Sequence, residues 1–187
     1  MNLAAKQEYY TYRDYLTWPD DVRYQLVNGV PYMMSPGPNR IHQEILISIA
    51  ATIHAYLDGK PCKVFAAPFD VRFAESEDTD NVFQPDVMVV CDEEKIDDRG
   101  IKGAPDFVAE ILSPSTARLD RGEKYDVYEK EGVKEYWIID PQAKLIETYT
   151  RTPGGSFHRK TSPVDTPVPV AIFDGALSID LSPLFSE

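Results

Sequence analysis

Residues 106–112, Asp-Phe-Val-Ala-Glu-Ile-Leu, form a β-rich run without polar alternation, in which Glu110 alone interrupts the apolar residues that follow Asp106. A strand that is apolar on both faces has to be covered on both faces. This run therefore calls for a central strand with layers above and below it. Val87-Met88-Val89-Val90, which follows Pro85-Asp86, is of the same kind. Around these two strands the chain supplies further elements. Asn28-Gly29 in RYQLVNGVPYMM predicts a hairpin over Arg23–Met34, because a type I′ turn needs two positive φ angles. After the loop SPGPNR, the residues Ile41, Ile45, Ile49, Ile53 and Leu57 fall at helical spacing, with Gly59 at the helix end. KVFAAPFDVRF adds a β-rich run. Leu119 to Gly132 reads as one helix, with Asp120 and Glu123 at capping-box spacing and Gly132 just past its end. EYWIIDP and KLIETYT predict two strands joined at Pro141-Gln142-Ala143. The segment from Arg151 onward predicts loops with one or two edge strands, and the acidic run DEEKIDDRG predicts a solvated loop. The expected fold class is α/β (α+β): a central β-sheet flanked by helices, in a single domain over 1–187.

A formal net charge of −12 is opposite in sign to the basic footprint of proteins that hold nucleic acid by neutralising phosphates. It argues against tight non-specific DNA binding but not against a nucleic-acid enzyme, since carboxylates that bind a divalent cation add negative charge and the ion restores a local positive field. No apolar run of about 18 residues could span a membrane, and the first twenty residues lack the apolar segment of a secretory leader. A cytoplasmic protein is expected. Cys62 and Cys91 form no metal-ligand or CxxC spacing and are expected to be reduced and inert. The small-residue face of the first long helix and the size of the domain also admit a homodimer.

Glu110 is the residue that needs explaining. A carboxylate buried without a partner costs several kcal/mol or takes up a proton. Asp106 shares its strand face, yet four residues at roughly 3.3 Å each put it about 13 Å away, too far to share one ion. Asp86, at the mouth of an adjacent strand, is the better partner. Two readings remain on the residues alone. In one, Glu110 is neutralised by Arg72, Arg118 or Lys124. In the other, two carboxylates, a main-chain carbonyl and waters hold Mg²⁺ or Mn²⁺, hard ions that prefer oxygen.

Taken together, Pro85-Asp86, Glu110 within GAPDFVAEILSPST, the Asp120-Lys124-Tyr128 spacing and GVKEYWIIDP resemble the Uma-two endonuclease family of the PD-(D/E)xK, or restriction-endonuclease-like, superfamily. YQLVNGVPYMMSPGP followed by His42 extends the resemblance over most of the chain. It implies a restriction-endonuclease-like fold with an N-terminal hairpin and extra C-terminal strands. It also implies a Mg²⁺- or Mn²⁺-dependent endonuclease acting on nucleic acid, DNA by expectation. Asp86, Glu110 and the main-chain carbonyl of Ile111 would hold the ion, which would polarise the phosphoryl group and acidify a water. The superfamily lysine stands two residues after the acid, where this chain has Leu112. The resemblance assigns the role instead to Lys124, which taken alone is a surface lysine paired with Asp120. His42 points with the apolar face of its helix and, by resemblance, lines the pocket together with Glu44. Gln25 stands where many members have Glu. Ser113-Pro114-Ser115-Thr116 lacks a nucleophile elbow and reads as a strand-to-helix turn, while Tyr136 and Trp137 read as core.

Two other readings stay open. One is a catalytically inactive nuclease-fold module that binds a protein or nucleic-acid partner, favoured by Leu112, Gln25 and the negative charge. The other is a paired-carboxylate sugar hydrolase with Asp86 and Glu110 as acid and base.

Overall fold

The computed structural model describes residues 9–19, 21–34 and 37–186; Ser35 and Pro36 of the expected loop lie outside them. Along the chain the elements are α1 (Tyr12–Tyr15), β1 (Tyr24–Val27), β2 (Val30–Met33), α2 (Arg40–Tyr56), β3 (Lys63–Ala66), β4 (Val71–Arg72), β5 (Val82–Phe83), β6 (Val87–Val90), β7 (Ile96–Asp97), β8 (Gly100–Lys102), β9 (Phe107–Ile111), α3 (Ala117–Arg121), α4 (Glu123–Glu131), β10 (Glu135–Asp140), β11 (Leu145–Arg151), β12 (Phe157–Pro163), β13 (Val168–Pro169) and β14 (Ser178–Ile179). The expected hairpin is β1–β2, with Asn28 at φ 48° and Gly29 at φ 75° making the turn.

The main sheet is mixed, in the order β12-β11-β10-β9-β6-β3, with β9 and β10 parallel and the other pairs antiparallel. A second sheet runs β2-β1-β5-β4-β8-β7. Strand alternation divides the core as the apolar runs require. Val87, Val89, Phe107, Ala109 and Ile111 pack against Ile45, Ile49 and Ile53 of α2 on one face. Met88, Val90, Val108 and Leu112 pack against Val127 and Tyr128 of α4 on the other. Trp137 and Tyr136 are fully buried on opposite faces of β10. The fold class is thus a mixed sheet flanked by helices with additional C-terminal strands.

Four local expectations are corrected. The helix expected over Leu119–Gly132 is two helices, broken at Gly122 (φ −113°, ψ −103°), and Asp120 lies inside α3 with its side chain turned to Lys124 rather than capping. Its C-terminus is as expected, with Gly132 at φ 97°. The acidic run is not all loop: Ile96–Asp97 and Gly100–Lys102 pair as β7–β8, because Arg72 draws in Asp97 at 2.6 Å. Three strands rather than one or two follow Arg151. Finally, Cys62 and Cys91 are joined in a disulfide. Lys63 faces Val90 in the antiparallel β3–β6 ladder, so the next facing position joins the two cysteines across 29 residues of sequence.

Candidate active site

β6 and β9 are antiparallel, with Val87 opposite Ala109. One step further along that register, Asp86 stands opposite Glu110, which puts the start of one strand and the end of the other at one edge of the sheet. The 24 positions from Asp86 to Glu110 take in β6, the 92–102 segment and the return through Asp106 into β9. Asp106 itself is committed elsewhere: its carboxylate accepts from Cys91 N at 2.7 Å and pairs with Lys134 at 2.6 Å. It ties β9 to its two neighbours and forms the entrance to the strand.

Asp86 is held from both layers. Its Oδ2 accepts the Ile111 main-chain N–H at 2.8 Å and lies 3.3 Å from His42 Nε2. His42 comes from the first turn of α2, where Asn39 caps the helix by accepting His42 N–H. Burial draws the His42 pKa down, but the hydrogen bond and charge of Asp86, with Glu110 behind it, outweigh burial and leave it raised. The Pro85-Asp86 corner is braced from the other sheet, where Gln25 Oε1 accepts Gln84 N–H at 3.2 Å.

Glu110 faces α4. Its Oε1 accepts Lys124 Nζ at 2.6 Å and Tyr128 OH at 2.7 Å. Lys124 and Tyr128 are one turn apart on α4, so both reach a single oxygen. Lys124 also lies 3.2 Å from Asp120 Oδ1. Lys124, Glu110 and Asp120 are only 2%, 4% and 1% exposed. Burial pushes the Glu110 carboxyl well above the usual range; Lys124 opposes this, while the charges of Asp120 and Asp86 add to it. Burial lowers the Lys124 pKa, but Glu110 and Asp120 more than compensate and leave it raised. The lysine therefore keeps its proton, and the carboxylates compete for it.

Asp86, Glu110, Ile111, Lys124 and His42 are accordingly brought to one place. Glu44 is not drawn in: it pairs with Arg40 at 2.7 Å on the helix surface. Of the three cations considered for Glu110, Lys124 neutralises it, whereas Arg72 serves Asp97. Leu112 is buried in the apolar cluster on the same face as Glu110. Ser113 and Thr116 exchange hydrogen bonds within the turn that opens α3. Two buried acids escaped the sequence reading. Glu135 accepts from Trp137 Nε1 and Ile172 N, and Glu147 pairs with Arg121 and Arg159. The signal that exposed Glu110, an acid beside an apolar run, marks both EYWII and LIETY. Among the described residues no group of three or more His, Cys, Asp or Glu is placed to hold a metal ion together, and no helix is long and apolar enough to cross a membrane.

Comparison with known proteins agrees with this architecture. An uncharacterized protein of Synechocystis sp., slr1290, is 26% identical over 147 residues, 77% of this chain and 75% of its own length. A second, sll1609, is 27% identical over 118 residues, 62% of this chain and 65% of its own. A crystal structure described as a putative nuclease belonging to DUF820, from Anabaena variabilis, superposes with a TM-score of 0.75 at 21% identity. That superposition covers 94% of this chain and 97% of the other, and it establishes the shared fold. The family model named Uma2, with the description "Putative restriction endonuclease", matches residues 12–182, and the chain belongs to that restriction-endonuclease-like family.

Proposed function

We propose that the chain is a divalent-metal-dependent endonuclease that hydrolyses phosphodiester bonds, with DNA as substrate. One observation carries this reading: the buried Lys124 ammonium is held between Glu110 at 2.6 Å and Asp120 at 3.2 Å, with the charge of Asp86 acting on the same cluster. Three acids meet one lysine there, and burial together with the charges of Asp120 and Asp86 raises the Glu110 pKa, a crowding of negative charge that a divalent cation would relieve.

The donor set fits Mg²⁺ or Mn²⁺. The hydrogen bonds to Asp86 fall on Oδ2 and those to Glu110 on Oε1, which leaves the second oxygen of each acid for an ion. With the Ile111 carbonyl and waters, this is the sparse oxygen set that these hard ions accept. When bound, the ion would supply Lewis-acid polarisation of the phosphoryl group and acidify water. The chain's own residues do the rest. His42 and the Ile111 N–H orient Asp86, and Tyr128 fixes Glu110. Lys124 would orient the attacking water and stabilise charge developing on phosphate oxygens. The family membership and the shared fold support the same activity.

The test is cleavage of plasmid and linear DNA by the purified chain with Mg²⁺ or Mn²⁺. Cleavage is expected to vanish with chelator and in Asp86→Ala and Glu110→Ala. Unchanged cleavage in either variant would sink the assignment. A binding module without catalysis is the second reading, favoured because Lys124 and Tyr128 already satisfy Glu110 without an ion. It requires that calorimetric titration with Mn²⁺ reveal no saturable site dependent on Glu110.

A further inference from the structure

Beyond its charge beside Lys124, Asp120 has no task in the arrangement so far, yet the residue is 1% exposed. Its backbone is fixed at both ends: its N–H donates to Thr116 O at 3.0 Å, and its carbonyl accepts the buried Tyr136 hydroxyl at 2.9 Å. Its Oδ1 lies within ion-pair distance of Lys124 Nζ but makes no hydrogen bond. Burying a charge with an oxygen left over costs several kcal/mol, so the placement calls for a second arrangement in which that oxygen is used. The lysine supplies one. Its ammonium sits between two acids, 2.6 Å from Glu110 Oε1 and 3.2 Å from Asp120 Oδ1. The helix break at Gly122 separates Asp120 from Lys124, so the two are not locked into the spacing of one continuous helix.

Resting on the metal-site reading above, we propose that Asp120 is a positioning residue: it takes over the Lys124 ammonium when Glu110 turns its charge to the cation. The lysine holds Glu110 through Oε1, and an ion arriving at the second oxygen competes with it for the charge of the same carboxylate. A transfer of under an ångström in reach, from Glu110 to Asp120, frees the acid and keeps the ammonium beside the site. The leftover Asp120 oxygen then gains its partner in the loaded state. Without Asp120 the lysine has only Glu110 to bind, and every ion has to displace it.

The test is Mn²⁺ affinity by calorimetry for the unaltered protein, Asp120→Asn, Lys124→Met and the double variant. Asp120→Asn should weaken binding on the order of tenfold or more, the scale of one charge-assisted hydrogen bond. Lys124→Met should bind at least as tightly as the unaltered protein, because Glu110 is released. In the Lys124→Met background Asp120→Asn should change affinity by no more than about twofold, since no ammonium remains to be placed. Equal effects of Asp120→Asn in the two backgrounds, or none in either, overturn the proposal while leaving the metal site intact. Failure of the unaltered protein to bind Mn²⁺ overturns the metal-site reading itself, and this inference with it. Should Asp120→Asn fail to fold, carboxyl ¹³C resonances of the unaltered protein under Mg²⁺ titration decide. Glu110 and Asp120 moving together along one saturation curve supports the transfer, and Glu110 moving alone refutes it.

Discussion

Lys124→Met is the substitution whose consequences the geometry fixes most tightly. Methionine keeps most of the apolar stem, so the change is chiefly the loss of an ammonium bonded to Glu110 at 2.6 Å and facing Asp120 at 3.2 Å. Removing one partner of a buried ion pair costs about 3–5 kcal/mol, because the other charge is stranded. Glu110→Gln should cost less, about 1–3 kcal/mol, since Lys124 retains Asp120 and Tyr128 still meets an amide. The double variant strands neither charge at position 110 nor a cation at 124. Its loss should fall short of the sum of the single losses by about 2 kcal/mol or more, a coupling typical of residues in direct contact. The pH dependence has a definite sign. With the lysine gone, the main influence that lowers the Glu110 pKa is lost while burial and the charges of Asp120 and Asp86 still raise it, so the folded variant holds a proton that the unfolded chain releases. Its stability therefore falls as pH rises from the ordinary carboxylate value toward the raised folded value, then levels off. Urea unfolding in chelator, at about pH 7 and about pH 9.5, measures all of this: the Lys124→Met penalty is expected to grow above the value of about 8 to which Glu110 is raised in the unaltered protein, where that carboxyl has ionised and the variant's has not. Additive single losses, to within about 0.5 kcal/mol, or a penalty independent of pH, would refute the reasoning.

The His42 imidazole should titrate above the ordinary value in chelated protein, as followed by NMR, and its midpoint should drop in Glu110→Gln, because Glu110 is among the charges that raise it. Its pairing with Asp86 contributes stability that is complete below the ordinary histidine pKa and is lost as pH rises through the raised one, so His42→Phe should cost more in acid than in mild base. Native protein should show no free thiol by thiol titration, and opening the Cys62–Cys91 link across its 29-residue separation should lower stability by about 3–4 kcal/mol on the loop-entropy estimate. Gly100→Ala, at a buried position, should cost about 2 kcal/mol or more. Gly100 sits at φ +136° with the Asp70 carbonyl where a Cβ would go. Gly59→Ala, at φ +70° in open space, is the contrast and should lose about 1 kcal/mol; equal losses in denaturant midpoint would show that the Asp70 contact does not matter.

What could be read ahead of the structure follows a physical division between local and distant determinants. Asn28-Gly29 dictates its turn by backbone preference alone, and the isoleucine spacing of α2 reports the face that must be buried. The adjacency of Asp86 and Glu110 was also legible, because two doubly apolar strands in one sheet have few places to go but side by side. The break at Gly122 was not. Asp120 and Glu123 have capping-box spacing, but Asp120 is turned inward by Lys124, whose position depends on how α4 packs on β9. The disulfide depends on the register between β3 and β6, which no spacing of two cysteines reveals. The β7–β8 pair depends on Arg72 reaching Asp97 from another strand. Glu135 and Glu147 needed only the question asked of Glu110 to be asked again.

The position of the lysine has a structural consequence beyond the site. Strand β9 turns Val108, Glu110 and Leu112 toward the face covered by α4, so an ammonium can meet Glu110 either from the strand, at position 112, or from the helix lying over it. A strand lysine would be fixed by sheet register. A helix lysine is fixed only as well as the helix is. Here α4 is held by the burial of Val127 and Tyr128 and by the C-cap at Gly132, while the preceding α3 is tied down by Arg121, which pairs with Glu147 at 2.6 Å and Asp140 at 3.2 Å. The two acids that Arg121 grips lie on β10, the neighbour of β9 in the sheet, and on β11, the strand next beyond it. The geometry at Glu110 is therefore set by a junction that runs from β10 and β11 through Arg121 and Gly122 to Lys124. With leucine at 112, contacts made on strands that carry no site residue become part of what places the ammonium.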